Sequence, residues 1–147
     1  MRTAVVYYSE HHGNTKKVLD AIAQKFDMDF IDVTKTTSAD LEEYDLIGFA
    51  SGIYYSKFHK SVLQFAEQNL PKRKNVFFIY TCGAERKGYT EAIKNVVNSK
   101  DAKILGEYGC LGFNTFGPFK LVGGIAKGRP DQEDLTNAVE FFEGLVR

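Results

Sequence analysis

The chain has 147 residues, enough for one domain with a proper hydrophobic core. It is 44% hydrophobic, 14% aromatic and 26% charged, the balance of a globular protein rather than a disordered or fibrous one. Lys+Arg and Asp+Glu are equal at 19 each, so no overall field points to nucleic acid, and no apolar run approaches the roughly 18 residues of a membrane span.

Met1-Arg2-Thr3 runs straight into a strand-like stretch, without the architecture of a signal peptide. Cys82 and Cys110 are the only cysteines. Two cysteines form no disulfide framework, so a cytoplasmic location is expected.

In chain order, the first predicted strand is TAVVYY, residues 3–8. The loop SEHHGNT, residues 9–15, follows it and opens a helix. Val18, Leu19, Ile22, Ala23 and Phe26 give that helix an apolar stripe. The second strand is MDFIDV, residues 28–33, and a weaker helix is predicted from Ser38 to just before Tyr44. The third strand, DLIGFA at 45–50, leads into SGIYYSKFHKSVLQF at 51–65. Val62, Phe65, Ala66 and Leu70 form the next helical stripe. A fourth strand, NVFFIYT at 75–81, ends in the short loop TCGAERKG, residues 81–88. Tyr89, Ala92, Ile93, Val96 and Val97 make a third stripe, and a fifth strand covers KILGEYGCL, about 103–111. The segment from Tyr108 to Pro130 holds Phe113, Phe116, Phe119, several glycines and the cations Lys120, Lys127 and Arg129, with no acidic residue. A connection this long is usually functional. Phe119 to Val122 suits a short extra strand; alternatively the phenylalanines cover a sheet edge. The last helix carries Leu135, Ala138, Val139, Phe142, Leu145 and Val146. Asp131 is its expected N-cap, with Glu133 and Asp134 in the first turn.

Five strands alternating with helices imply an α/β fold. The expected form is a doubly wound five-stranded parallel sheet, in a three-layer sandwich spanning residues 1–147 as one domain. For this size the expected order is 2-1-3-4-5. Ligands in such sheets sit beyond the carboxyl ends of the strands, where the order reverses. That places the crevice between the loops after the first and third strands.

The first loop opens a helix whose early N–H groups lack intrahelical partners and attract an anion. Ser9, Asn14 and Thr15 add side-chain donors, and Gly13 permits close backbone approach. His11 and His12 are either phosphate contacts or solvated loop residues. Several phosphate chemistries fail here. G-x-G-x-x-G and G-x-x-x-x-G-K-[ST] are both absent. A phosphatase on such a sheet would need a cysteine in this loop, and a phosphoryl-accepting receiver would need acidic residues at the strand end. A terminal monophosphate held without metal remains, with an ordinary helix cap as the alternative. Tyr54 and Tyr55 stand at the mouth of the same crevice, where aromatic faces suit a flat ring. They cannot both stack from one face, so one is expected against the ring and one outward. A monophosphate carrying a planar ring describes FMN.

On these features the chain resembles the flavodoxin family along its whole length. The likeness rests on strand spacing, HGNT opening the first helix, aromatics after the third strand, and the closing helix. The Ser9-to-Gly13 spacing is one residue longer than the family's usual phosphate loop. The stretch ASGIYYSKFHKSVLQF is similar to flavodoxin-type protoporphyrinogen dehydrogenases, which are typically longer chains. The resemblance implies non-covalent FMN held by three loops: Ser9, Glu10, His11, His12, Gly13, Asn14 and Thr15; then Ser51, Gly52, Ile53, Tyr54 and Tyr55; then Thr81, Cys82 and Gly83. It implies electron transfer to a redox partner protein or a small-molecule acceptor, with no catalytic side chain and no metal. The alternative is an FMN-dependent oxidoreductase acting on a quinone or porphyrin-like molecule. A flavin-free binding module on the same fold is the third reading.

Overall fold

The computed structural model describes residues 1–10, 13–113, 124 and 126–147. The elements are β1 (Thr3–Tyr8), α1 (Asn14–Ala23), β2 (Asp29–Asp32), β3 (Leu46–Tyr54), β4 (Lys57–Phe58), α2 (Lys60–Asn69), β5 (Asn75–Cys82), α3 (Glu91–Asn98), β6 (Lys103–Leu111) and α4 (Gln132–Val146). Five strands run parallel in the order β2-β1-β3-β5-β6, and the two-residue β4 pairs antiparallel with β3. This is the expected doubly wound arrangement, with β5 and β6 as the fourth and fifth predicted strands and β4 as an addition.

Side chains alternate across the sheet and build two cores. Val6, Ile47, Phe49, Val76 and Phe78 face α2 and α3, where Val62, Phe65, Ile93 and Val97 meet them. Val5, Ala50, Phe77 and Ile79 face α1 and α4, against Val18, Leu19, Ile22, Ala138 and Phe142. Strands buried on both faces explain the nearly continuous apolar runs of β1, β3 and β5. Gly48 is part of that packing: a Cβ there would lie 2.3 Å from the Phe77 ring.

The weak helix predicted from Ser38 does not form. Residues 38–45 run as an irregular crossover with a turn at 42–43. Asp40 Oδ1 accepts the Glu42 amide at 3.0 Å, a local bond that competes with helix. Only Leu41 of this stretch is fully buried, so a helix there would bury little. The first helix also ends earlier than its stripe. It stops at Ala23, yet Phe26 still reaches the core and meets Phe142 edge-on at 5.0 Å. No helix among the described residues is long and apolar enough to cross a membrane.

Candidate functional site

The carboxyl ends of β1, β3, β5 and β6 converge on one cleft. It lies where strand order reverses, between β1 and β3, as such sheets place their ligands. Ser9, Glu10, Asn14 and Thr15 line it from the first loop, and Gly52, Ile53 and Tyr54 from the end of β3. Thr81, Cys82 and Gly83 close it from β5, and Gly112 from the end of β6.

Gly13 is the N-cap of α1, at φ 65 in the left-handed region that suits glycine. It supplies no side-chain cap. Ser9 does that work from outside the helix, its Oγ accepting the Lys16 amide at 3.0 Å. Thr15 is buried, and its hydroxyl shares a hydrogen bond of 2.9 Å with that of Thr81. One hydroxyl donates to the other, so the pair retains one O–H to offer a ligand. Asn14 is also buried. Its Nδ2 donates to the Phe113 carbonyl at 2.8 Å, and its Oδ1 has no partner among the described residues. Gly112 makes this packing possible, because a Cβ there would stand 2.6 Å from Asn14 Nδ2.

Ser51 lies beneath the cleft rather than in its wall. It is fully buried, and its Oγ accepts the His59 amide at 3.0 Å. The two adjacent tyrosines diverge. Tyr54 lines the cleft, while Tyr55 is 86% exposed. They diverge because Tyr55 and Ser56 both have positive φ, at 52 and 66, forming a tight turn between β3 and β4. His11 and His12 lie outside the described residues, as do Phe116, Phe119, Lys120 and the strand expected at Phe119–Val122.

Sequence reasoning missed an aromatic cluster beside the cleft. His59 stacks flat on Tyr8, with ring centroids 3.8 Å apart and 5° between planes. Tyr54 meets both rings edge-on, at 5.6 Å from Tyr8 and 5.1 Å from His59. His59 also caps α2, its Nδ1 accepting the Ser61 amide at 3.1 Å. Tyr8 donates its phenol to Glu10 at 2.9 Å. Burial, with help from that carboxylate, pushes the Tyr8 phenol up to about 12. Burial raises Tyr54 as well, and burial followed by the Lys60 charge lowers His59. At neutral pH the cluster is therefore a set of uncharged rings. The available signal was the strand period: Tyr8 closes β1, and His59 precedes a helix as a polar N-cap would.

Cys82 carries a thiol that burial pushes up to about 11, and Cys110 one at about 12. Neither is a thiolate at neutral pH, so neither is a ready nucleophile. Arg129 is not a free cation of its segment. Its Nε and one terminal nitrogen donate to the two carboxylate oxygens of Asp134 at 2.6 and 2.7 Å.

A family model described as a flavodoxin domain matches residues 5–109. An uncharacterized protein of Methanocaldococcus jannaschii is 36% identical over 149 residues, covering 100% of this chain and 99% of that one. Two solved structures share the fold. A flavodoxin from the domain Archaea has a TM-score of 0.68 at 17% identity, over 99% of both chains. A Fusobacterium nucleatum flavodoxin, bound to flavin mononucleotide, has a TM-score of 0.64 at 14% identity, over 98% of both. The family match spans the three loops that bring Ser9 to Thr15, Gly52 to Tyr54 and Thr81 to Gly83 to the cleft, and by it this chain belongs to the flavodoxin family.

Proposed function

We propose that the cleft binds FMN and that the protein transfers electrons. The observation that carries this reading is the meeting of the α1 N-terminus, the Thr15–Thr81 hydroxyl pair and the half-satisfied Asn14 amide in one cleft. These groups fit a phosphorylated, polar tail. Backbone amides and hydroxyls offer donors to a monophosphate, and the Asn14 Oδ1 offers an acceptor to a hydroxyl of the chain behind it. Neither a second phosphate nor a metal is needed by this donor set. The relative bound to flavin mononucleotide supports the same reading by its fold.

When bound, FMN supplies the one- and two-electron chemistry, and the protein supplies binding, orientation and local potential. Gly13 and the α1 amides would hold the phosphate end, with the Thr15–Thr81 pair donating its free O–H to it. Tyr54, which lines the cleft and meets Tyr8 and His59 edge-on, would pack against the flat ring. Glu10 brings a carboxylate to the wall, and the exposed cations Lys57, Lys60, Arg86 and Lys87 lie on β4, at the start of α2 and in the loop after β5. The absence of Asp and Glu from residues 51–66 also suits a second reading, direct reduction or oxidation of a quinone or porphyrin-like molecule by the flavoprotein.

The visible spectrum of the purified protein with added FMN tests the cofactor. Thr15→Ala should weaken FMN by about 1–2 kcal/mol, the scale of a lost hydrogen bond to a charged group, and leave riboflavin affinity nearly unchanged. Equal losses for both ligands would remove the phosphate from this loop. Stopped-flow reoxidation by quinones against protein acceptors then separates carrier from enzyme.

A further inference from the structure

We propose that His59 is a positioning residue of the cleft: its ring, stacked on Tyr8 and fixed by the cap it gives α2, sets the orientation of Tyr54. The consequence for flavin binding rests on the cofactor reading above, in which Tyr54 packs against the flat ring.

His59 is held at its backbone and at its ring. Its amide donates to Ser51 Oγ at 3.0 Å, beneath the cleft. Its Nδ1 accepts the Ser61 amide at 3.1 Å and lies 2.7 Å from the Ser61 hydroxyl oxygen. A backbone N–H can only donate, so Nδ1 is unprotonated and the neutral ring carries its proton on Nε2. Held in this way, the imidazole lies flat against Tyr8, with centroids 3.8 Å apart. Tyr54 is then bounded on three sides. Tyr8 and His59 meet it edge-on, and a Cβ at Gly52 would lie 3.3 Å from its ring.

Capping alone does not call for histidine, because Ser, Thr, Asp and Asn cap a helix with a smaller side chain. Filling a core does not call for it either, since Tyr8, Tyr54 and His59 are each only partly buried. What the imidazole adds is a flat ring that both tyrosines contact. The cap also couples that ring to protons. Protonation turns Nδ1 into a donor facing the Ser61 amide, breaks the cap, and puts a cation beside Lys60 at the positive end of α2. Among the described residues, the titratable groups that touch His59 or act on its charge are Tyr8, Glu10, Tyr54 and Lys60. Burial and Lys60 outweigh the attraction of Glu10 and hold His59 below the ordinary histidine value. Tyr54 is therefore held above that lowered value and released as pH falls through it.

The test compares the full chain with His59→Asn, which keeps a capping oxygen but no ring, and His59→Phe, which keeps a ring but cannot cap. On each apoprotein, NMR reads the contacts between the Tyr54 and Tyr8 rings, and urea unfolding reads stability. Fluorescence titrations with FMN and with riboflavin read the cleft. His59→Asn should lose the ring contacts while remaining more stable than His59→Phe, whose α2 goes uncapped. It should weaken FMN and riboflavin alike, by about threefold to tenfold, the scale of one aromatic contact. His59→Phe should keep the ring contacts and most of its affinity for both flavins. Riboflavin has no phosphate to titrate. Its affinity for the wild type should fall between about pH 7.5 and pH 5, and its affinity for His59→Phe should not. A wild type that binds neither flavin fails the cofactor reading, and the ring contacts of the apoproteins still decide the positioning role. Contacts kept in His59→Asn, or lost in His59→Phe, would overturn the proposal. So would flavin affinity that falls in His59→Phe but not in His59→Asn, or a riboflavin pH profile shared by the wild type and His59→Phe.

Discussion

Asn14 holds together two parts of the chain that are 99 positions apart. Its amide bonds the Phe113 carbonyl, and Gly112 leaves the room it needs. The asparagine was recognisable from the first loop alone. Gly112 was not, because its role is a contact between β6 and α1 that no local pattern encodes. Gly112→Ala should therefore push Asn14 aside and destabilise the fold by about 1–3 kcal/mol, the scale of overpacking. It should also weaken FMN. Urea unfolding and FMN titration check the two effects separately, and full stability with full affinity would mean the Asn14 side chain moves freely. The tyrosines make the complementary case. Their type pointed to an aromatic ligand, but only the turn at Tyr55–Ser56 decides which one faces the cleft. Tyr54→Ala should lower FMN affinity and restore flavin fluorescence, while Tyr55→Ala should do neither. A reversed pattern in fluorescence titration would put the ring on the outer side of the hairpin.

Among the elements, α4 was the most legible. Asp131 accepts the Asp134 amide at 2.9 Å, and the Asp134 carboxylate accepts the Asp131 amide at 2.8 Å, a reciprocal cap. What the periodicity did not show is that Asp134 also binds Arg129. Spacing reveals caps, because they are local. It does not reveal which charges of a glycine-rich segment will be neutralised. Hydrogen bonding to Arg129, set against burial, holds the Asp134 carboxyl below the ordinary aspartate value. A depressed folded value means the unfolded chain takes up the proton first as pH falls. The stabilisation is thus complete above the unfolded aspartate value, near pH 4, and is lost as pH drops through the lower folded value. Asp134→Asn should cost about 2–3 kcal/mol at neutral pH, since it leaves Arg129 partly buried without its carboxylate. The deficit should shrink toward pH 2. Thermal unfolding between pH 7 and pH 2 measures this, and a deficit constant with pH would mean the loss comes from shape alone.

Across the whole molecule, the balance of 19 cations and 19 anions conceals an uneven distribution. Residues 51–66 contain Lys57 and Lys60 without any Asp or Glu, and Lys57 sits opposite Tyr54 at the base of the hairpin turn. Carboxylates near a bound flavin oppose the arrival of a second electron; cations favour it. Arg129 cannot be counted among those cations, because Asp134 neutralises it, and Glu10 in the cleft wall works in the other direction. The electrostatic case therefore rests on the hairpin and the start of α2. Two unit charges about 8 Å apart, at an effective dielectric of about 20–40, interact by roughly 1–2 kcal/mol before salt screening. For a one-electron couple, about 59 mV corresponds to roughly 1.4 kcal/mol. With FMN bound as proposed, the second one-electron potential should lie tens of millivolts above that of a flavodoxin with an acidic rim. Lys57→Glu should lower it, and more at low ionic strength than at high. Spectroelectrochemical titration of both proteins at two salt concentrations gives the comparison. A wild-type potential as low as an acidic flavodoxin's, unmoved by the substitution, would mean that burial and hydrogen bonds at the ring outweigh the rim charges, and would favour a low-potential carrier over a quinone-level one.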